Sequence, residues 1–174
     1  MSLTLEAWQR GPVDGVPPLL MPVAHALIQA REDAERALTG LSPDQIWARP
    51  GGAASVGFHL RHLAGALDRL FTYARGESLT NEQRRRIPVE GMPGAPPAGA
   101  AALLEDLHVM IARALDQVRA TPAATLLDAR GIGRQQLPSN VIGLLFHGAE
   151  HATRHAGQAI TSVSGSIEAS RAWG

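Results

Sequence analysis

The sequence predicts an all-α protein, a four-helix bundle with long crossover connections. Three observations predict it. Apolar residues recur at steps of three and four over four long segments. Little of the chain alternates as a strand would. Aromatics make up only 4% of the 174 residues, so the core must be aliphatic and alanine-rich, which favours close-packed helices over a β-sandwich. The length suits a single domain over residues 1–174, with its core at about 20–163 and residues 1–16 and 166–174 loosely held.

The first periodic segment runs from about Pro22 to Thr39, with Val23, Leu27, Ala30, Ala34 and Leu38 on one face and Gly40 as its stop. Ser42-Pro43-Asp44-Gln45 has Ser at N-cap, Pro at N1 and Gln at N3, and opens a helix of one or two turns before Pro50-Gly51-Gly52. The second long helix, about Ser55 to Ala74, carries Val56, Leu60, Leu63, Leu67, Leu70 and Phe71 as its stripe. Asn81 to Arg86 adds a charged turn, and residues 87–97, rich in Pro and Gly, form a loop. The third long helix, about Gly99 to Ala120, buries Leu104, Leu107, Ile111, Leu115 and Val118, and residues 123–138 are mixed. The fourth starts near Ser139 as N-cap and runs to about Val163, where Ser164-Gly165-Ser166 closes it. Connections of roughly 14 to 22 residues exceed what hairpins between neighbouring helices need, so crossovers are allowed.

Composition excludes several classes. No cysteine is present, so disulfides, thiolate metal ligands and a cysteine nucleophile are absent. Sixteen arginines balance sixteen acids, which speaks against nucleic acid or a membrane surface as partner. No apolar run approaches the ~20 residues of a membrane span. The N-terminus lacks a charged n-region and an apolar h-region, so a cytoplasmic location is expected.

The chemistry-bearing residues are histidines. His147, His151 and His155 are successive i, i+4 neighbours on the fourth helix, within about 80° of one another on a helical wheel. Two imidazoles at this spacing can meet one cation at ~2.0–2.1 Å, and a third ligand must come from another helix. Two histidines four apart are also what a solvated helix surface offers, but the flanking Ala, Gly and Leu are not those of a wet face. The second helix supplies His59 and His62, and the wheel, centred on Leu60, Leu63 and Leu67, mildly favours His59.

Ser55-Val56-Gly57-Phe58-His59-Leu60-Arg61-His62-Leu63-Ala64, preceded by Leu41-Ser42-Pro43-Asp44-Gln45 and Arg49-Pro50, resembles the first half of a DinB/YfiT-like protein. His147 to Gln158 resembles that family's last-helix signature, a histidine pair four apart followed by Gly-Gln. The resemblance spans about residues 20–163. It implies a DinB/YfiT-like four-helix bundle in which His62, His151 and His155 hold one divalent metal. It also implies a homodimer and a metal-dependent transferase acting with a low-molecular-weight thiol, or else a hydrolase. A non-catalytic bundle binding a metal or small ligand is a further alternative. One departure is Ala156, where relatives often carry Arg.

Three neutral imidazoles leave a divalent ion its charge and an open position for water or a thiol. Nitrogen donors suit zinc first, with nickel the alternative, and disfavour magnesium and calcium. His147 and Gln158 share the ligand side of the helix and are expected to orient the imidazoles or face the substrate, as is His59 if it is not itself a ligand. Glu150 points about 100° away from His151. His25 and His108 are expected to be half-buried amphipathic histidines, Asp68 an ion-paired or solvated carboxylate, and Trp8, Trp47 and Trp173 packing or dimer residues. Gly131-Ile132-Gly133 lacks the strand and third glycine of a dinucleotide loop.

Overall fold

A computed structural model describes residues 5–172. Four long helices, α1 (Met21–Leu38), α3 (Val56–Ala74), α5 (Ala100–Ala120) and α6 (Val141–Ala172), form the bundle. Two short ones, α2 (Pro43–Trp47) and α4 (Asn81–Arg86), lie in the first two connections. The chain is all-α in the sense expected. The α3–α6 and α1–α6 faces are the most extensive, α5 packs on α3 and α1, and α1 and α3 meet only marginally. The α1-to-α3 connection therefore crosses the bundle, as does that from α5 to α6.

The predicted stripes are the core. Leu27, Ala30, Ala34, Leu60, Leu63, Leu107, Leu145 and Ala159 have essentially no exposed surface. Ser42 caps α2 with the expected capping box, and Ser55 accepts from the Phe58 amide at the start of α3. On α5 the buried leucine of the first turns is Leu103, with Leu104 half-buried.

Several expectations change. Residues 123–138 are not merely mixed: β1 (Ala129–Ile132) and β2 (Leu137–Asn140) pair antiparallel, Ala129 opposite Asn140 and Ile132 opposite Leu137. Strands this short, one of them containing Pro138, carry no readable alternation. Arg130 Nε donates to the Ala74 carbonyl at 2.8 Å, so the hairpin satisfies an end group of α3. Asn140, not Ser139, caps α6, its Oδ1 accepting from the Gly143 amide at 2.7 Å. The α6 backbone continues through Ser164-Gly165-Ser166 to Ala172. One glycine costs a helix only about 1 kcal/mol, and no proline follows to stop it.

Of residues 1–16, expected to be loosely held, those from Ala7 on are docked. Ala7 and Val16 are buried, the Ala7 amide donates to Gln29 Oε1 at 2.9 Å, and Arg10 forks onto both Glu32 oxygens at 2.8 and 2.7 Å. The apolar residues of this stretch are too sparse to show a period, so tertiary contacts order what the local pattern does not. Trp173 lies outside the described residues. No described helix is long and apolar enough to cross a membrane.

At Gly148 helix α6 packs directly against α3: an added Cβ would lie 2.9 Å from the Phe71 ring and 3.2 Å from Leu67. Gly148→Ala is expected to destabilise the protein by about 1–3 kcal/mol through overpacking. A lowered urea midpoint at unchanged slope would report this, whereas an unchanged midpoint would mean that the crossing can widen at no cost.

Candidate metal centre

Helices α3 and α6 run antiparallel with their histidines at the same level, His59 against His155 and His62 against His151. Along α3 the sequence places His59 in the leucine stripe and His62 one turn further, toward the rim. The structure follows that wheel, and the consequence is that the deeper histidine is not the one that joins the α6 pair. His59 is 6% exposed, and its Nδ1 lies 3.0 Å from His155 Nδ1. His62 is half-buried, and its Nε2 lies 3.1 Å from His151 Nε2. Ring centroids of His62 and His155 are 4.6 Å apart, and those of His151 and His155 4.5 Å.

His62, His151 and His155 each present one ring nitrogen within 4.8 Å of the other two. That spacing lets three imidazoles reach a common ion at ~2.0–2.1 Å. Two of the donors are biased toward the neutral form. Burial, then the neighbouring His151, His62 and His59, push His155 down to about 4. Burial and then His62 lower His151. His59 is lowered for the same two reasons. Neutral imidazole is the form that binds a metal. The residues present therefore fit a divalent ion.

The surrounding contacts assign ring nitrogens. His62 Nδ1–H donates to Glu90 Oε2 at 2.7 Å, which turns Nε2 and its lone pair toward the α6 pair. With His155 Nδ1 occupied by His59, its Nε2 is the nitrogen left for an ion. Phe58 stacks on the outer face of His62, centroids 5.2 Å apart and planes 16° from parallel. His151 Nδ1 is buried without a hydrogen-bond partner among the described residues.

Glu90 is the residue that sequence reasoning missed. It sits in the Pro- and Gly-rich loop, where composition signals only a turn, and its partners are 28 and 21 positions away in sequence. Burial works to raise its pKa, but hydrogen bonds from His62 and Arg69 outweigh burial and hold the carboxyl below its usual range.

The orienting role expected of His147 and Gln158 is not what the structure shows. His147 is exposed and bonds Glu150 Oε1 at 2.8 Å, its ring 5.7 Å from that of His151. Gln158 is exposed and makes no hydrogen bond to a ligand imidazole. Glu150 accepts from Arg154 as well, at 2.7 Å, and faces away from the cluster. The polar contacts to the clustered rings come instead from Glu90 and His59.

Other candidates fall outside the centre. His25 Nε2 donates to the Gly11 carbonyl at 2.9 Å, and His108 pairs with Glu35 at the surface at 2.8 Å. Trp47 packs with its Nε1 on the Ala98 carbonyl at 2.8 Å, and Trp8 Nε1 donates to Glu6 at 2.7 Å. Asp68 is half-buried on the wall of a cavity of about 730 Å³ between α3 and α5. Glu90 and Arg69 line that cavity too, but the histidines do not.

A family model for the DinB superfamily matches residues 26–159. The matched span holds all three clustered histidines. No curated protein matches the chain.

The lowered histidines give a pH expectation. A proton competes with a metal for an imidazole only near or below that imidazole's pKa. Depressing the pKa therefore moves the loss of metal to lower pH. Zinc uptake is expected to persist below the ~6.5 of an ordinary histidine. Competition with a chelator measured from about pH 7 down to about 5 checks this, and zinc affinity that collapses as soon as the pH reaches about 6.5 would contradict it.

Proposed function

The chain belongs to the DinB superfamily, and on that premise we propose that it is a metal-dependent transferase of the thiol S-transferase type. His62, His151 and His155 are its metal ligands, zinc its first choice of ion and nickel the alternative. The observation that carries this reading is the convergence of three imidazoles from two helices, with ligand atoms within 4.8 Å of one another. Bound there, a divalent ion would supply an electrophilic centre that lowers the pKa of a thiol or water placed on it.

The chain's own residues divide the remaining work. Glu90 keeps the proton on His62 Nδ1, His59 takes the inner nitrogen of His155, and Phe58 covers the face of His62. A thiol is favoured over water as the activated group because hydrolysis gains from a general base. Both carboxylates beside the cluster are engaged, Glu90 by His62 and Arg69 and Glu150 by His147 and Arg154. Ala156 is fully buried, so an acidic thiol would find no cation at that position.

The same engagement of Glu90 and Glu150 supports a second reading, a bundle that captures a small ligand at its metal without turnover. A homodimer belongs to the proposal as well; Phe146 and Ile160 are exposed apolar residues of α6 that such a contact would cover.

Zinc is expected to stabilise the protein by RT ln(1 + [L]/Kd), about 2.7 kcal/mol at a hundredfold excess over Kd. His62→Ala, His151→Ala and His155→Ala should each lose most of that gain, which thermal melts with and without a chelator measure. Melting indifferent to zinc and chelator would remove the metal centre. Metal-dependent thiol transfer that disappears in His151→Ala supports the transferase, equal rates for both proteins would sink it, and saturable thiol binding without turnover selects the second reading.

A further inference from the structure

The stretch from Arg84 to Pro97 is a strap of exposed residues with one exception. Glu90 alone is turned inward, 6% exposed, while its neighbours on either side are in solvent. A buried carboxylate is costly unless it is paired and hydrogen-bonded. Here both oxygens are used: Oε2 accepts from His62 Nδ1 at 2.7 Å and Oε1 from Arg69 at 2.6 Å. Neither is turned toward the ring nitrogens of His151 and His155, so Glu90 is not placed as a fourth ligand.

Helix α3 is shaped to receive this carboxylate. Gly65 lies between His62 and Arg69 on the same side of the helix, three residues from one and four from the other. A Cβ at Gly65 would stand 2.3 Å from Glu90 Oε1 and 2.9 Å from an Arg69 guanidinium nitrogen. The missing side chain is a recess in which the Glu90 carboxylate rests.

We propose that Glu90 is a positioning residue for the metal centre: it fixes the tautomer and ring plane of His62, with Gly65 as its seat and Arg69 as its counter-charge. The affinity of the three histidines for a divalent ion is thereby set from the strap, by a residue that touches no metal. The inference rests on the metal-binding reading above.

The test is zinc affinity of the full chain, by competition with a chromophoric chelator, together with the visible spectrum of the cobalt(II)-loaded protein. Glu90→Ala is expected to weaken zinc binding by about 10–100-fold and to alter the cobalt spectrum. Glu90→Gln keeps an acceptor for His62 and should recover part of the loss. Gly65→Ala leaves every histidine and Glu90 in place, yet should weaken zinc to a similar degree because the carboxylate loses its seat. The double variant Gly65→Ala/Glu90→Ala should then be no weaker than the worse single one, since both act through one contact. Circular dichroism of the metal-free proteins checks folding, and if Glu90→Ala folds poorly, Glu90→Gln and Gly65→Ala decide. Affinities within twofold of wild type and an unchanged cobalt spectrum overturn the proposal, as do losses that add in the double variant. Failure of the wild-type chain to take zinc at all would instead strike the metal-binding reading itself.

Discussion

Everything at the centre depends on how closely α3 and α6 can approach. Imidazoles from two helices share an ion only when the backbones lie near enough for both rings to span the gap. From Gly148 to Ala159 the apolar residues of α6 that face the bundle are small: Gly148, Ala149, Ala152, Ala156 and Ala159 are all buried. Against Gly148 sit Phe71 and Leu67, so bulk on α3 is matched by its absence on α6. This large-on-small packing keeps the interior dense while drawing the axes together. Two turns along the same contact, it is the histidines that fill the space.

Much of this was legible in the sequence because it repeats. A stripe at 3.6-residue period needs only local information, and so does a histidine pair four apart. What was not legible arises from contacts distant in sequence. Wheel geometry points to His59 on α3, and it describes burial correctly, for His59 is the deeper residue. A ligand, however, needs a route for its lone pair to a shared point, and that was set by which level of α6 lies opposite, a fact of register between helices. The resemblance to a family pointed to His62, on information a single helix does not hold. Glu90 was illegible for a related reason: a buried acid in a Pro/Gly-rich loop has no periodic companions, and its significance lies in Gly65, His62 and Arg69, all on another element.

The departures at the ends of elements have a common cause. Local signals for starts and stops are worth about 1 kcal/mol each. Packing outweighs them, as in the hairpin between α5 and α6 and in the docked N-terminal turn. The hairpin is a clear case, since neither four-residue strand would stand alone in water. It is held by pairing, by Arg130 on the end of α3, and by the start of α6, whose Ile142 amide donates to the Leu126 carbonyl at 2.9 Å.

Helix α6 packs against both α1 and α3 and carries two of the three clustered imidazoles. The rings therefore have no independent mount. Turning the rod about its own axis by even a fraction of one residue's step would swing both nitrogens together, and the packing of α6 against α1 and α3 resists that torque. Sites of this kind inherit their aim from the packing of an opposite wall. A methyl group added there, well away from any imidazole, would misdirect the pair as surely as a change beside it.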